Sequence, residues 1–302
     1  MEYLLLVFLL GTLTPIQTAA NSRLRQSVVS PLVASLVSFS IGTIFLFIAT
    51  IIEKGTPLFG SDIFKSLPWW AWCGGTCGLY ALTVNIIIFP KLGSVQTVLM
   101  PMLGQIGMGM LIDNFGLLGA NTYPFSMHRL ISLLLIIAGV IMVVVRKGSN
   151  KSSSVTLPWQ ILGISAGAVF AFQPTMNSCL AASLFSSIHA AFISFLTATI
   201  LLLSMVMIIP YDRKHLPSVF LLDRPWWSWL GGIIGGIFVT GFAFFAPKVG
   251  VGLLLVTSIC GMLTFSLAMD KYGWLGALKK RIGISQYVGL LLVVAGIVLL
   301  KI

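Results

Sequence analysis

Long apolar runs, separated by short polar stretches, recur along the whole chain. Ile131 to Val145 and Gly289 to Leu300 contain no charged residue. With their flanks, such runs approach the ~20 residues a helix needs to cross hydrocarbon. Runs and turn signals together predict ten membrane-spanning helices. In the first half they lie at about 3–21, 31–52, 69–88, 93–112 and 130–146; in the second, at about 158–178, 187–209, 227–245, 250–269 and 285–301. The most polar stretch runs from Arg146 to Ser154 and is rich in serine. It predicts a flexible linker at 148–157 between a first region, 1–147, and a second, 158–302.

Composition agrees with lipid as the solvent. Of 302 residues, 58% are hydrophobic and 8% charged, where a soluble domain carries about 25% charged residues. Helices close their own backbone hydrogen bonds and therefore tolerate hydrocarbon. The net charge of +11 sits in short loops between apolar runs. That placement predicts charges that orient the chain in a membrane, and no nucleic-acid partner. The four cysteines form no CxxC pair, and no His/Cys/Asp cluster has metal-ligand spacing. No metal or cofactor is expected. The first apolar run has Glu2 and no cation before it, unlike a secretory signal. It is read as a retained helix.

An internal repeat organises the rest. Pro68-Trp69-Trp70-x-Trp72-x-Gly74-Gly75-x-x-Gly78 returns 157 positions later as Pro225-Trp226-Trp227-x-Trp229-x-Gly231-Gly232-x-x-Gly235. At the same spacing Pro90-Lys91-x-Gly93 returns as Pro247-Lys248-x-Gly250, and Asp113-x-x-Gly116 as Asp270-x-x-Gly273. Gln17-x-x-x-Asn21-Ser22 returns as Gln173-x-x-x-Asn177-Ser178. Shared hydrophobicity alone would not hold Trp, Pro, Lys and Asp in one register. Each half has an odd number of spans, so the second half enters the membrane from the opposite side, as an inverted repeat. With both termini outside, thirteen basic residues fall in inside loops and five outside, which predicts extracytoplasmic N- and C-termini.

In order and spacing, these motifs resemble the YdcZ-type family of the drug/metabolite transporter (DMT) superfamily, in a fused, double-length form. The resemblance covers nearly the whole chain. It implies an all-α membrane protein with a DMT/EamA-like fold of two inverted five-helix repeats, in the cell's inner membrane and multi-pass. It implies no substrate. Two positions depart from the symmetry: Gln105 is matched by Met262, and Arg129 by Gln286.

Gln17 and Asn21 lie one turn apart on one helix face, as do Gln173 and Asn177. Amides in apolar helices are costly unless paired, so the four, with Gln105, are candidate substrate-binding groups. Interhelical hydrogen bonding is the competing reading. Trp69, Trp70, Trp226 and Trp227 read as interface anchors or a gate. Asp113 and Asp270 close the fourth and ninth spans, where helix termination is favoured over a role as coupling acids. No nucleophile–base pair or paired intramembrane carboxylate suggests an enzyme. The expectation is a secondary transporter, an exporter or facilitator of a small metabolite, working by alternating access between the repeats. A non-transporting membrane scaffold is the alternative. Lipid and a small-molecule substrate are the expected partners, with a homo-oligomer open.

Overall fold

A computed structural model describes residues 2–28, 30–60, 63, 66–144, 157–220, 225–276 and 282–301. Most of the predicted linker, with Arg146, Lys147 and Lys151, lies outside the described residues, as do Asp62, Lys65, Asp223, Arg224, Lys279, Lys280 and Arg281. Among the described residues the secondary structure is helical, with no strand. Its helices are α1 (Glu2–Val28), α2 (Pro31–Lys54), α3 (Gly74–Phe115), α4 (Met127–Val144), α5 (Leu157–Leu184), α6 (Ser187–Ile208), the short α7 (Pro210–His215), α8 (Leu230–Val249), α9 (Val251–Tyr272) and α10 (Ile284–Lys301).

Local chemistry sets the helix starts. Ser30 caps α2 by accepting the Val33 N–H at 3.1 Å, and Pro31 takes the first helical position, where no N–H is needed. Ser186 caps α6 in the same way through the His189 N–H, at 3.0 Å. Both tryptophan motifs form short 3₁₀ turns, Trp69–Cys73 and Trp226–Trp229, that lead into α3 and α8. Gly250 separates α8 from α9 at φ +84°, a backbone region that favours glycine.

In the first half, the third and fourth predicted spans fall within one helical segment, α3, from Gly74 to Phe115. The chain nevertheless doubles back within it. A straight helix would set Ile88 and Met100 about 18 Å apart. A methyl group on Gly163 would lie 2.8 Å from Met100 Cβ and 3.1 Å from Ile88 Cδ1, so both flank one point of α5. The reversal falls where Pro90-Lys91-x-Gly93 predicts a turn. Among the described residues, eight helices are long and apolar enough to cross a membrane by composition alone. The remaining two predicted spans, in the first part of α3 and in α5, are diluted by polar residues: Thr76, Thr83 and Asn85 in one, Gln160, Ser165, Gln173 and Asn177 in the other.

Two compact units are formed, and they cut across the repeats. Unit one comprises 1–12, 80–175 and 245–302; unit two comprises 13–79 and 176–244. Each takes comparable segments from both halves of the chain.

Inside unit one, glycine lets helices of opposite halves touch, and each contact has a twin. A methyl group on Gly104 would fall 2.0 Å from the Ile164 carbonyl oxygen, and one on Gly261 would fall 2.0 Å from that of Phe8. A methyl group on Gly167 would meet the Pro101 carbonyl oxygen at 1.8 Å, and one on Gly11 that of Ser258 at 2.1 Å. Across the α4–α10 pair, Gly139 faces the Gly289 carbonyl as Gly296 faces that of Ser132. Each pair maps onto its partner by the sequence repeat. Around this seam pack Met102, Ile106, Ile136, Val140, Ile259, Leu263 and Val293. Such close backbone approach is the means by which helices associate in lipid, where burial of apolar surface contributes little.

Unit two repeats the device. Methyl groups on Gly75 and Gly232 would meet the carbonyl oxygens of Ser194 and Ser38 at 2.1 and 2.0 Å. Thr43 and Thr199, twins 156 positions apart, bond to each other at 2.9 Å. Twins in mutual contact must lie on the pseudo-two-fold axis that relates them, so that axis passes between α2 and α6.

Candidate functional site

Polar side chains line the seam of unit two. Asn177, on α5, is 1% exposed. Its Nδ2 donates to Ser194 Oγ on α6 at 3.3 Å. Its Oδ1 has no hydrogen-bond partner and lies against Gly74, where a methyl group would approach it to 2.0 Å. Asn21, on α1, repeats this: its Oδ1 has no hydrogen-bond partner and sits against Gly231, 2.1 Å from where a methyl group would be. One turn earlier, Gln17 Nε2 faces Gly235. The amide motif of one half therefore meets the Trp-Trp-x-Trp-x-Gly-Gly motif of the other. A Cβ at either glycine would press on the amide oxygen and push the asparagine side chain aside.

An unpaired buried carbonyl-type oxygen costs roughly 1–3 kcal/mol, and only part of this is returned by a Cα–H contact. Two such oxygens at twin positions are two acceptors for which the protein supplies no donor.

The other candidate residues are placed as follows. Gln173 is buried in unit one, within α5, next to Pro174. Gln105 is half-buried in α3, also in unit one, beside the close-packed Gly104. Trp69 and Trp226 are 79% and 75% exposed, while Trp70 and Trp227 are half-buried, each pair alike in the two halves. Asp270 stands in the last turns of α9, half-buried, before Gly273 at φ +73°.

Asp113, 3% exposed, is fully engaged. Its Oδ1 accepts the Val251 N–H at 2.7 Å and its Oδ2 the Gly252 N–H at 2.9 Å. It thus caps α9 from outside, where a helix N-terminus favours negative charge. The segment after it is tied down on the same side. The Tyr123 N–H donates to the Asp113 carbonyl at 2.7 Å, Asn121 donates to the Pro247 carbonyl at 2.7 Å, and Arg129 donates to the Tyr123 carbonyl at 2.8 Å.

Sequence reasoning missed two polar ties that hold the ends of α2, one to α7 and one to the start of α6. Ser30 donates to Asp212 at 2.5 Å, and Ser186 donates to Glu53. By sequence, both acids stand just past the ends of predicted spans, 31–52 and 187–209. The signal was present: Ser30 and Ser186, like Thr43 and Thr199, are 156 positions apart, the spacing of the Gln-x-x-x-Asn motif. Lys91 over the Trp159 ring at 5.7 Å and Lys248 over the Tyr3 ring at 5.1 Å form a further twin pair, in unit one. It gives the lysine of each Pro-Lys-x-Gly turn an aromatic partner from the opposite half.

Reciprocal contacts between halves are what a duplicated membrane protein should display, and comparison with known families agrees with the duplication. The family described as "Putative inner membrane exporter, YdcZ" matches residues 2–142 and again 158–299. The chain belongs to the YdcZ family. It is a multi-pass protein of the inner membrane, in a family of exporters rather than of enzymes. A crystal structure of a protein 14% identical in sequence superposes with a TM-score of 0.70, covering 99% of this chain and 96% of that one. At that identity the likeness carries the fold alone. No curated protein matches the chain significantly.

Proposed function

We propose that this YdcZ-family chain is a secondary transporter that exports a small polar metabolite by alternating access between its inverted repeats. The observation that carries this reading is the twin pair of unpaired buried oxygens, Asn21 Oδ1 and Asn177 Oδ1. Each is covered by a glycine of the other half. Relative movement of the halves uncovers such an oxygen without breaking any hydrogen bond to it. A substrate N–H or O–H then supplies the missing donor. Gln17 extends this acceptor–donor row on α1, and Gln173 and Gln105 are further candidate contacts within unit one.

The nature of the groups narrows the substrate. Amides bind by neutral hydrogen bonds, so the substrate is uncharged or zwitterionic. Trp69 and Trp226, exposed before α3 and α8, anchor the two ends of unit two at the lipid interface. Family membership favours this reading over a scaffold.

The test is transport by purified protein in proteoliposomes loaded with a metabolite library. The wild type depletes at least one polar solute. Asn21→Ala/Asn177→Ala abolishes that movement while its thermal unfolding stays cooperative. A wild type that moves nothing, or a double variant that transports unchanged, overturns the reading.

A further inference from the structure

One end of the unit-two seam is covered by chain that is not helical. After α2 the backbone turns at Gly55, φ +75°, and runs without helical structure to Gly60. On this strap, the Phe59 ring centre lies 5.5 Å from that of Trp72, in the 3₁₀ turn before α3, and 5.6 Å from that of His189, at the start of α6. The Pro57 carbonyl lies 2.9 Å from His189 Nε2. A carbonyl only accepts, so this nitrogen carries the proton and donates. His189 is buried, and its own N–H is held by Ser186.

The two residues that Phe59 touches stand on the elements that hold Asn177. Gly74, just past Trp72, lies against Asn177 Oδ1, and Ser194, further along α6 than His189, accepts from Asn177 Nδ2. Phe59 also packs against an apolar cluster that includes Leu180 and Ala181, in the turn after Asn177. Burial agrees with a cover at this end: Asn177 is buried, whereas its twin Asn21 is half-buried. At the twin end Val33 stands where His189 does, and the cover there is α7 followed by Leu216 and Val219, which pack with Trp229 against a cluster that includes Val33. Glycines bound the strap. A methyl group on Gly55 or Gly60 would meet no atom within 4 Å, so crowding imposes neither of them. Moving lids are drawn from such weakly held chain, with hinges at a few residues.

We propose that Phe59 is a gate at the Asn177 end of the seam, latched by the hydrogen bond from His189 to Pro57 and closed in this structure. The proposal deepens the transport reading and rests on it for what passes the gate. Swinging the strap about Gly55 and Gly60 withdraws the ring from Trp72 and His189 and opens the way to Asn177. His189 is a positioning residue, which acts through the strap.

The experiment is thiol accessibility of the full-length protein in lipid nanodiscs. Cys77 is the reporter, because its Sγ lies 3.7 Å from Sδ of Met176, the residue before Asn177. Cys73→Ala/Cys179→Ala/Cys260→Ala leaves Cys77 as the single thiol. A membrane-impermeant maleimide then reads its labelling rate, which tracks the open fraction. Phe59→Ala loses both ring contacts and should label about tenfold faster than this parent. His189→Phe keeps a ring but loses the donor, and should label about fivefold faster. Phe59→Tyr, and Leu58→Ala on the same strap at a side chain 79% exposed, should match the parent. Leu216→Ala, at the twin end, should match it too. Melting curves verify that each variant folds. Phe59→Ala at the parental rate, or an equal rise in Leu58→Ala or Leu216→Ala, would overturn the gate. Should Phe59→Ala not fold, His189→Phe at the parental rate overturns it alone. No solute enters the measurement, so a protein that labels as expected yet moves nothing in proteoliposomes keeps the gate and loses the transport reading.

Discussion

The seams of the two units use the same symmetry with different chemistry. In unit one the tightest approaches between halves are glycine against bare backbone carbonyl, Gly104 on Ile164, Gly167 on Pro101, and their twins, with side-chain ties such as Gln160 to Gln96 and Asp113 to α9 away from them. In unit two, glycine–carbonyl contacts persist at Gly75 and Gly232, but side-chain polar groups join them. These are Asn21 and Asn177 against glycine, the Thr43–Thr199 bond, and the two serine–acid ties. A glycine–carbonyl seam has one good fit and no substitute for it. A seam of amides and hydroxyls can exchange partners. Under the proposed transport reading, unit one is the part that stays packed and unit two the part that rearranges around a solute.

The strongest way to break the contrast is to overfill unit one. A methyl group on Gly167 would stand 1.8 Å from the Pro101 carbonyl oxygen, which belongs to helix backbone and cannot swing aside. Gly167→Ala should destabilise the protein by about 3 kcal/mol or more, and Gly167→Leu should leave no monodisperse protein after extraction. Thermal unfolding in detergent with size-exclusion chromatography reads both. A Gly167→Ala variant as stable as wild type would mean the α3–α5 seam yields, and the proposed rigidity of unit one would be lost.

Asp113 sharpens the contrast, because it is a polar tie inside unit one. Its two oxygens accept the first two N–H groups of α9. Asp113→Ala leaves both donors buried and unpaired, at a cost of about 2 kcal/mol. Asp113→Asn keeps one acceptor and should fall between alanine and wild type. The same unfolding measurement applies. If alanine and asparagine cost nothing, the carboxylate is not what holds the start of α9.

Much of this was legible in the chain. Repeat spacing and apolar runs led to the all-helical, duplicated membrane fold, because those features act over whole helices. The reversal within α3, between Ile88 and Met100, was legible too, in the Pro90-Lys91-x-Gly93 motif it contains. What stayed hidden was which half each residue meets. Asn21 and Gly231 each stand in a recognisable motif, yet nothing local says that one seats on the other. Asp113 reads as a helix end because the glycine three positions on is visible, while the α9 N–H groups it serves lie in the other repeat. Asp212 reads as a loop acid beside basic neighbours, since sequence order cannot show which way a side chain turns.

The finest probe of the comparison lies at the axis of unit two. The Thr43 hydroxyl donates to the Phe39 carbonyl at 2.8 Å. Its proton is therefore in use, and in the 2.9 Å contact between the twins Thr199 is the donor. Thr199→Val removes a donor from an oxygen whose own proton is already satisfied, and should cost about 0.6 kcal/mol, the usual size of such bonds between membrane helices. Thr43→Val removes the acceptor and leaves the Thr199 proton to seek another carbonyl. A double-mutant cycle built from the four melting curves should return a coupling of similar size, since either substitution alone already ends the contact. A coupling of zero would mean that α2 and α6 do not touch through these hydroxyls. The two-fold would then miss this pair, and the polar seam of unit two would be reduced to the amides and the serine–acid ties at its ends.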